Sequence, residues 1–358
     1  MSTLRQKRRE KLTKLAKTRV LITDGAMGTA IQALSLADKA FHGERFATWP
    51  VPLRGDNDLL SLTLPNAIRT IHNDYLAAGA DLIETNTFNA TSISQADYGL
   101  QDVAAEIAGA GAKLARAAAD AAEAAEPERP RAVMGAIGPL SKTLSLSPKV
   151  EDPGYREVDF DQVYDSYYAQ ATAMAEDVDF FAIETVFDTL NAKAAIAACM
   201  DVNAGCDDPV PLILSGTITD NSGRTLTGQT TEAFWNSIAH ARPWAAGLNC
   251  ALGASELRPF IADMARAADC MIIAYPNAGL PNAFGEYDET PDTTSGHLGE
   301  WARDGLVNIV GGCCGTTPDH IRAIAAAVTG VNPRPVTARP IALRLSGLEP
   351  FELSSMST

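Results

Sequence analysis

Eight short apolar runs, each followed by a polar or glycine-containing break and then a helical stretch, constrain this chain more than any other feature. They lie at 20–23, 81–83, 132–134, 180–183, 211–214, 245–248, 270–273 and 307–310. Unbroken apolar runs of this length read as strands covered on both faces, which means a parallel sheet. Alanine-rich stretches at 102–125 and 189–200 supply covering helices. Eight such units in about 310 residues is the arithmetic of an α/β fold of the (β/α)8 TIM-barrel type. An open doubly wound sheet would want a GxGxxG turn after its first strand. Here that strand runs into Asp24-Gly25-Ala26-Met27-Gly28-Thr29, which lacks the spacing. A faint internal echo relates 80–85 to 179–185, two units apart. The expected organisation is a lead-in helix over 1–19, a barrel over 20–331, and a proline-interrupted C-terminal tail or linker over 332–358.

The formal charge of −15 argues against a generic nucleic-acid binder, whose footprint is basic. No apolar run approaches the ~18–20 residues that span a bilayer, and no signal-peptide pattern opens the chain. A cytoplasmic protein with no membrane partner is expected. Residues 1–19 carry +7, leaving −22 on the rest. Such a leader reads as a solvated helix with Leu4, Leu12 and Leu15 touching the core, ahead of a targeting peptide or anion-binding arm.

In a barrel of this kind, chemistry sits at the C-terminal ends of the strands. The first run delivers Asp24 and Gly25 there, the second Glu84, the fourth Glu184, the seventh Asn277. The sixth delivers Cys250 and the eighth Cys313 and Cys314, so three of the six cysteines share one rim. Strands ~4.8 Å apart and Zn–S bonds of ~2.3 Å allow these side chains to converge on zinc. Three thiolates leave one position open, the catalytic pattern. Such a site is a poor water activator but takes an incoming thiol, whose pKa near 8.5 coordination lowers, as a nucleophile for alkyl transfer. Asp24 and Glu184 suit an ammonium group, and backbone N–H groups after Gly25 suit a carboxylate. Other readings stand beside these: a cap or turn for Asp24, an interior salt bridge for Glu184, a polar barrel layer for Glu84, a vicinal disulfide at 313–314. Cys199, Cys206 and Cys270 read as core residues.

Several elements together resemble the homocysteine S-methyltransferase family: 24–29, Glu84-Thr85-Asn86-Thr87-Phe88-Asn89, Glu184-Thr185-Val186-Phe187-Asp188-Thr189, Gly247-Leu248-Asn249-Cys250 and Gly311-Gly312-Cys313-Cys314-Gly315-Thr316. Segments 54–60, 215–220, 276–282 and 345–350 are similar to one branch, the N-terminal homocysteine-binding module of cobalamin-dependent methionine synthase. The resemblance implies zinc on Cys250, Cys313 and Cys314, and homocysteine held at Asp24, Gly25 and Glu184. It also implies that Asn277 approaches the metal when substrate is absent. The expected reaction is attack of zinc-held homocysteine thiolate on methylcobalamin, giving methionine. No DxHxxG-type cobalamin motif is present, so separate cobalamin-binding and folate-binding modules or subunits are expected as partners. The alternatives are a small donor such as S-methylmethionine or betaine, and a non-catalytic zinc-bearing scaffold subunit.

Overall fold

A computed structural model of the chain describes residues 3–219 and 222–353. Its eight parallel strands coincide with the eight apolar runs: β1 Leu21–Ile22, β2 Leu82–Glu84, β3 Ala132–Ile137, β4 Phe180–Val186, β5 Leu212–Gly216, β6 Ala245–Gly253, β7 Met271–Asn277 and β8 Ile309–Val310. The strand order is β1-β8-β7-β6-β5-β4-β3-β2. A parallel bridge between Thr23 and Leu82 joins the two ends of that order. The result is an α/β TIM-like barrel, as expected.

Alternation along each strand sorts the core into two shells. Leu82, Met134, Phe180, Ala182, Ile213, Ala245, Ile273 and Ile309 pack together inside the barrel. Their neighbours Ile83, Val133, Phe181, Leu212, Ala246, Ile272 and Val310 face the helices, which include Ala104–Ala125 and Thr189–Asn203. Continuing the inward parity past Leu82, Ala182 and Ile273 brings Glu84, Glu184 and Tyr275 to the top of the interior stack. The echo between 80–85 and 179–185 also acquires a physical basis. Asp81 accepts the Ile22 N–H at 3.0 Å and Asp179 the Val133 N–H at 2.9 Å, each bridging to the preceding strand.

The basic leader is used at the opposite end. Its helix, Leu4–Leu15, buries Leu12 and Ala16 in the interior shell, so it closes the barrel floor. Arg8 reaches Asp179 (3.0 Å) and Glu123 (2.8 Å), Arg5 and Arg9 pair with Asp208, and Arg19 with Asp81. Its charge neutralises acids at the strand starts, and it is less solvated than its composition suggests. Leu4 is exposed, against expectation, while Leu12 is fully buried. Leu12→Ala is expected to cost about 2–5 kcal/mol, as for other buried leucines, read as a lowered midpoint in urea unfolding.

The segment from Asn332 carries no helix among its described residues; residues 354–358 lie outside them. Arg334 is buried, donating to the carbonyls of Ala265, Ala268 and Cys270. Strands β9 Leu343–Ser346 and β10 Pro350–Leu353 form an antiparallel hairpin. Ser346 ties it to helix Thr231–Ile238 by donating to the Ala233 carbonyl at 2.6 Å.

Candidate metal centre and substrate cavity

The rim at the C-terminal ends of β6 and β8 is built by backbone that leaves regular strand geometry. The β6–β7 register breaks between Asn249 and Gly253, with Cys250 (φ 60°) and Ala251 (φ 56°) in left-handed conformation. Such non-glycine residues cost roughly 1–3 kcal/mol each and persist where the surroundings over-determine them. Beyond β8, the glycine-cysteine segment is pinned at both sides by main-chain bonds. Cys313 N–H donates to the Pro276 carbonyl (2.7 Å), Ala278 N–H to the Cys314 carbonyl (2.9 Å), and Gly312 N–H to the Asp24 carbonyl (3.1 Å). Thr316 links it to the first loop, donating from Oγ1 to the Cys313 carbonyl (2.7 Å) and accepting the Ala26 N–H (3.2 Å). Gly315 has φ +82°, and a Cβ there would meet the Tyr287 side chain at 2.3 Å.

This scaffold brings Cys250, Cys313 and Cys314 together, their sulfurs all within 4.8 Å of one another. The Cys250 and Cys314 sulfurs are 3.9 Å apart. Zinc–sulfur bonds of ~2.3 Å at tetrahedral angles put sulfurs about 3.8 Å apart, so the donor set fits that ion. Hydrogen bonds from Cys250 and then Cys313, with Tyr287 adding to them, hold the Cys314 thiol far below the ordinary thiol range. Cys313 is pushed well above it by Cys250 and Cys314, with burial adding to them. Cys199 is buried as expected and Cys270 half-buried, but Cys206 lies on the surface.

A cavity of about 460 Å³ opens beside the sulfurs. Its lining also includes Asp24, Glu84 and Glu184. Asp24 accepts the Glu84 N–H at 2.9 Å, and Glu184 accepts the Tyr275 hydroxyl at 3.3 Å. Burial pushes Glu184 up to about 8, with the Asp24 charge adding to it. Burial likewise pushes Asp24 up to about 7, against the Glu84 N–H. Glu84 is raised by burial, then by Glu184 and Asp24, and its Oε1 is buried with no hydrogen-bond partner. No cation among the described residues pairs with this trio. Three close carboxyls in low dielectric cannot all ionise unless a positive group joins them. The cavity wall is thus suited to an ammonium ion.

The remaining wall holds Gly25 to Thr29 and the uncapped start of helix Met27–Ala33. A side chain at Gly25 would collide with Thr316 and Tyr75 at 2.8 Å. Gly55, Asn57 and Asp58, from segment 54–60, close another side. The structure therefore groups around one space six of the seven residues to which the family resemblance gives a role. Asn277 is the seventh. It is buried, its Oδ1 has no hydrogen-bond partner, and it is not among the residues that line the cavity. Sequence reasoning passed over Tyr287, which nothing local distinguishes; it placed Tyr275 at the end of the seventh strand without giving it a role, and Glu84, read as a polar barrel layer, lines the same cavity.

The family model for homocysteine S-methyltransferases matches residues 21–328, most of the chain. Among solved structures, the homocysteine methyltransferase MmuM from Escherichia coli superposes in its oxidised and metallated forms. Both give 22% identity and a TM-score of 0.68, covering 87% of this chain and 97% and 98% of theirs. Its apo form gives 20% and 0.63, over 87% of this chain and 97% of that one. At such identity the likeness speaks for the fold, while the family match extends over the strands, the cysteines and the carboxylates together. The chain belongs to the homocysteine S-methyltransferase family.

Proposed function

We propose that this chain methylates the thiol of homocysteine to give methionine, using zinc on Cys250, Cys313 and Cys314 and a methyl group from methylcobalamin carried by a separate module or subunit. One observation carries the reading: a single cavity is lined by three thiols and by three carboxyls that pair with no cation among the described residues. Homocysteine has a thiol and an ammonium group to match both. Bound zinc would lower the pKa of the substrate thiol and hold it as a nucleophile at neutral pH.

The chain's own groups do the rest. Glu184, with its Tyr275 hydrogen bond, and Asp24 hold the ammonium. The substrate carboxylate would lie against the first loop, where Gly25 to Thr29 line the cavity and the Ala26 N–H is already committed to Thr316. Asn277 is assigned the approach to the metal when substrate is absent, since its unpartnered Oδ1 sits on β7 next to Ala278, which is bonded to Cys314. In the transfer, the substrate sulfur, its proton already lost to solvent, would take the methyl group through its lone pair, and the corrinoid would supply that group and keep the bonding electron pair. The corrinoid donor is supported by segment 54–60, typical of the cobalamin-dependent branch, bordering the cavity through Gly55, Asn57 and Asp58. A folate-binding module that remethylates the corrinoid would complete the assembly.

Two measurements test the proposal. X-ray absorption at the zinc edge should show a lighter ligand replaced by a fourth sulfur on adding homocysteine; an unchanged spectrum would remove the thiol-activating role. Turnover with methylcobalamin, set against S-methylmethionine and betaine, tests the donor. Methionine formed from a small donor without corrinoid would overturn the cobalamin assignment.

A further inference from the structure

Asn249 immediately precedes the ligand Cys250, is completely buried, and makes three side-chain hydrogen bonds to two other strands. Its Oδ1 accepts the Thr185 backbone N–H at 3.0 Å and the Ser215 hydroxyl at 2.7 Å. Its Nδ2 donates to Thr185 Oγ1 at 2.8 Å. Thr185 belongs to β4 and Ser215 to β5, so one amide spans from β6 across β5 to β4.

Both ends of this span lie where the strands break register. The β4–β5 pairing shifts between Ile183 and Val186, and the β6–β7 pairing between Asn249 and Gly253. Five non-glycine residues among those described have left-handed backbone, and Thr185, Cys250 and Ala251 are three of them. None is a residue type that favours that conformation, so tertiary bonds must impose it. The amide at 249 provides them. The Thr185 N–H and the Ser215 hydroxyl share Oδ1 while Nδ2 donates to Thr185 Oγ1, a set that a neutral amide makes without burying a charge, whereas a carboxylate has no N–H to give and would be buried ionised or with a raised pKa.

We propose that Asn249 is a positioning residue that fixes the placement of Cys250, in the sulfur cluster, relative to Glu184, among the carboxyls that line the same cavity. Cys250 follows Asn249 and Glu184 precedes Thr185, so the clamp makes these two parts of the substrate site one rigid unit. This assignment rests on the function proposed above for its substrate half, and on the sulfur cluster alone for its metal half.

The test uses the full chain carrying Asn249→Asp, Asn249→Ala or Ser215→Ala. Affinity for Co2+ and Zn2+ is measured by chelator competition, thiolate–Co2+ absorption bands report sulfur geometry, and homocysteine kinetics and thermal midpoint accompany them. Outer partners of metal ligands typically matter by about 10–100-fold. Asn249→Asp, which keeps shape and acceptor but loses the donor, should bind both metals 10–100-fold more weakly, with shifted Co2+ bands and raised KM. Ser215→Ala removes one bond of three and leaves Thr185 clamped. It should show the same changes at about 3–10-fold with a near-wild-type midpoint, and it decides the matter if position 249 variants fail to fold. Wild-type metal affinity and Co2+ bands in the soluble variants would overturn the proposal. A wild-type chain that binds metal but ignores homocysteine would instead overturn the function, leaving the metal comparison to decide the clamp.

Discussion

Cys313→Ser is expected to abolish metal retention and lower thiol methylation by at least about three orders of magnitude, well beyond the 10–100-fold typical of a partner that does not touch the metal. A serine hydroxyl is neither as acidic nor as soft as a thiol, so the position would lose a ligand and keep its shape. The fold should survive. Cys313 is held through main-chain bonds to Pro276 on β7, Gly312 to the Asp24 carbonyl, and Gly315 N–H to Thr29 Oγ1 at 2.9 Å. None of these uses the sulfur. Metal-free wild type and metal-free variant should therefore melt close together, while metal-loaded wild type melts higher, because a ligand that binds the native state stabilises it. Metal stoichiometry, melting and methylation rate on the same preparations check this. A variant that keeps one equivalent of metal and a tenth of the activity would show that Cys313 is not a ligand.

The positions of the eight strands were legible because a strand in a parallel barrel is covered on both faces and shows as an unbroken apolar run. Their ends were not. β6 extends to Gly253 only through a bulge whose left-handed residues are Cys250 and Ala251, types that give no local sign of it. The cysteines were legible as a set once placed at strand ends. Tyr287 was not, since it comes from the loop between β7 and helix Pro291–Arg303 and meets Cys314 only through tertiary folding. The leader was read correctly as a helix but misread as solvated, because its partners Asp81, Asp179 and Asp208 are scattered through the sequence. The C-terminal hairpin had a weak signal in the alternation Leu343-Arg344-Leu345-Ser346. Its prolines outweighed that signal, and the turn at Gly347 is not one of the strong two-residue hairpin types.

Glu184→Gln should raise KM for homocysteine by about 10–100-fold while leaving kcat and metal content near wild type, the range set by ~1.5–3 kcal/mol for a hydrogen bond to a charged group. The informative comparison is with 4-sulfanylbutanoic acid, which has the thiol and carboxylate but no ammonium. Wild type should prefer homocysteine over it by that same factor, and the variant should lose most of the preference. An altered metal site would weaken both thiols equally, so the ratio isolates the ammonium contact. Its pH dependence has a definite sign. In the free protein Glu184 sits near 8, raised by burial and then by Asp24. At pH 7 the carboxyl is therefore mostly protonated, and ammonium binding must draw the ionised form. The preference of wild type for homocysteine should grow as pH rises from 6 toward 8, below the range where the substrate's own ammonium loses its proton, and the variant should keep only the smaller slope that Asp24 contributes. Because both substrates carry the same thiol, its own titration cancels in the ratio. A preference that survives Glu184→Gln with its pH slope intact would shift the ammonium contact to Asp24 and Glu84. In that arrangement the Asp24 carboxylate, already accepting the Glu84 N–H, would be the group whose loss breaks both substrate binding and the first loop.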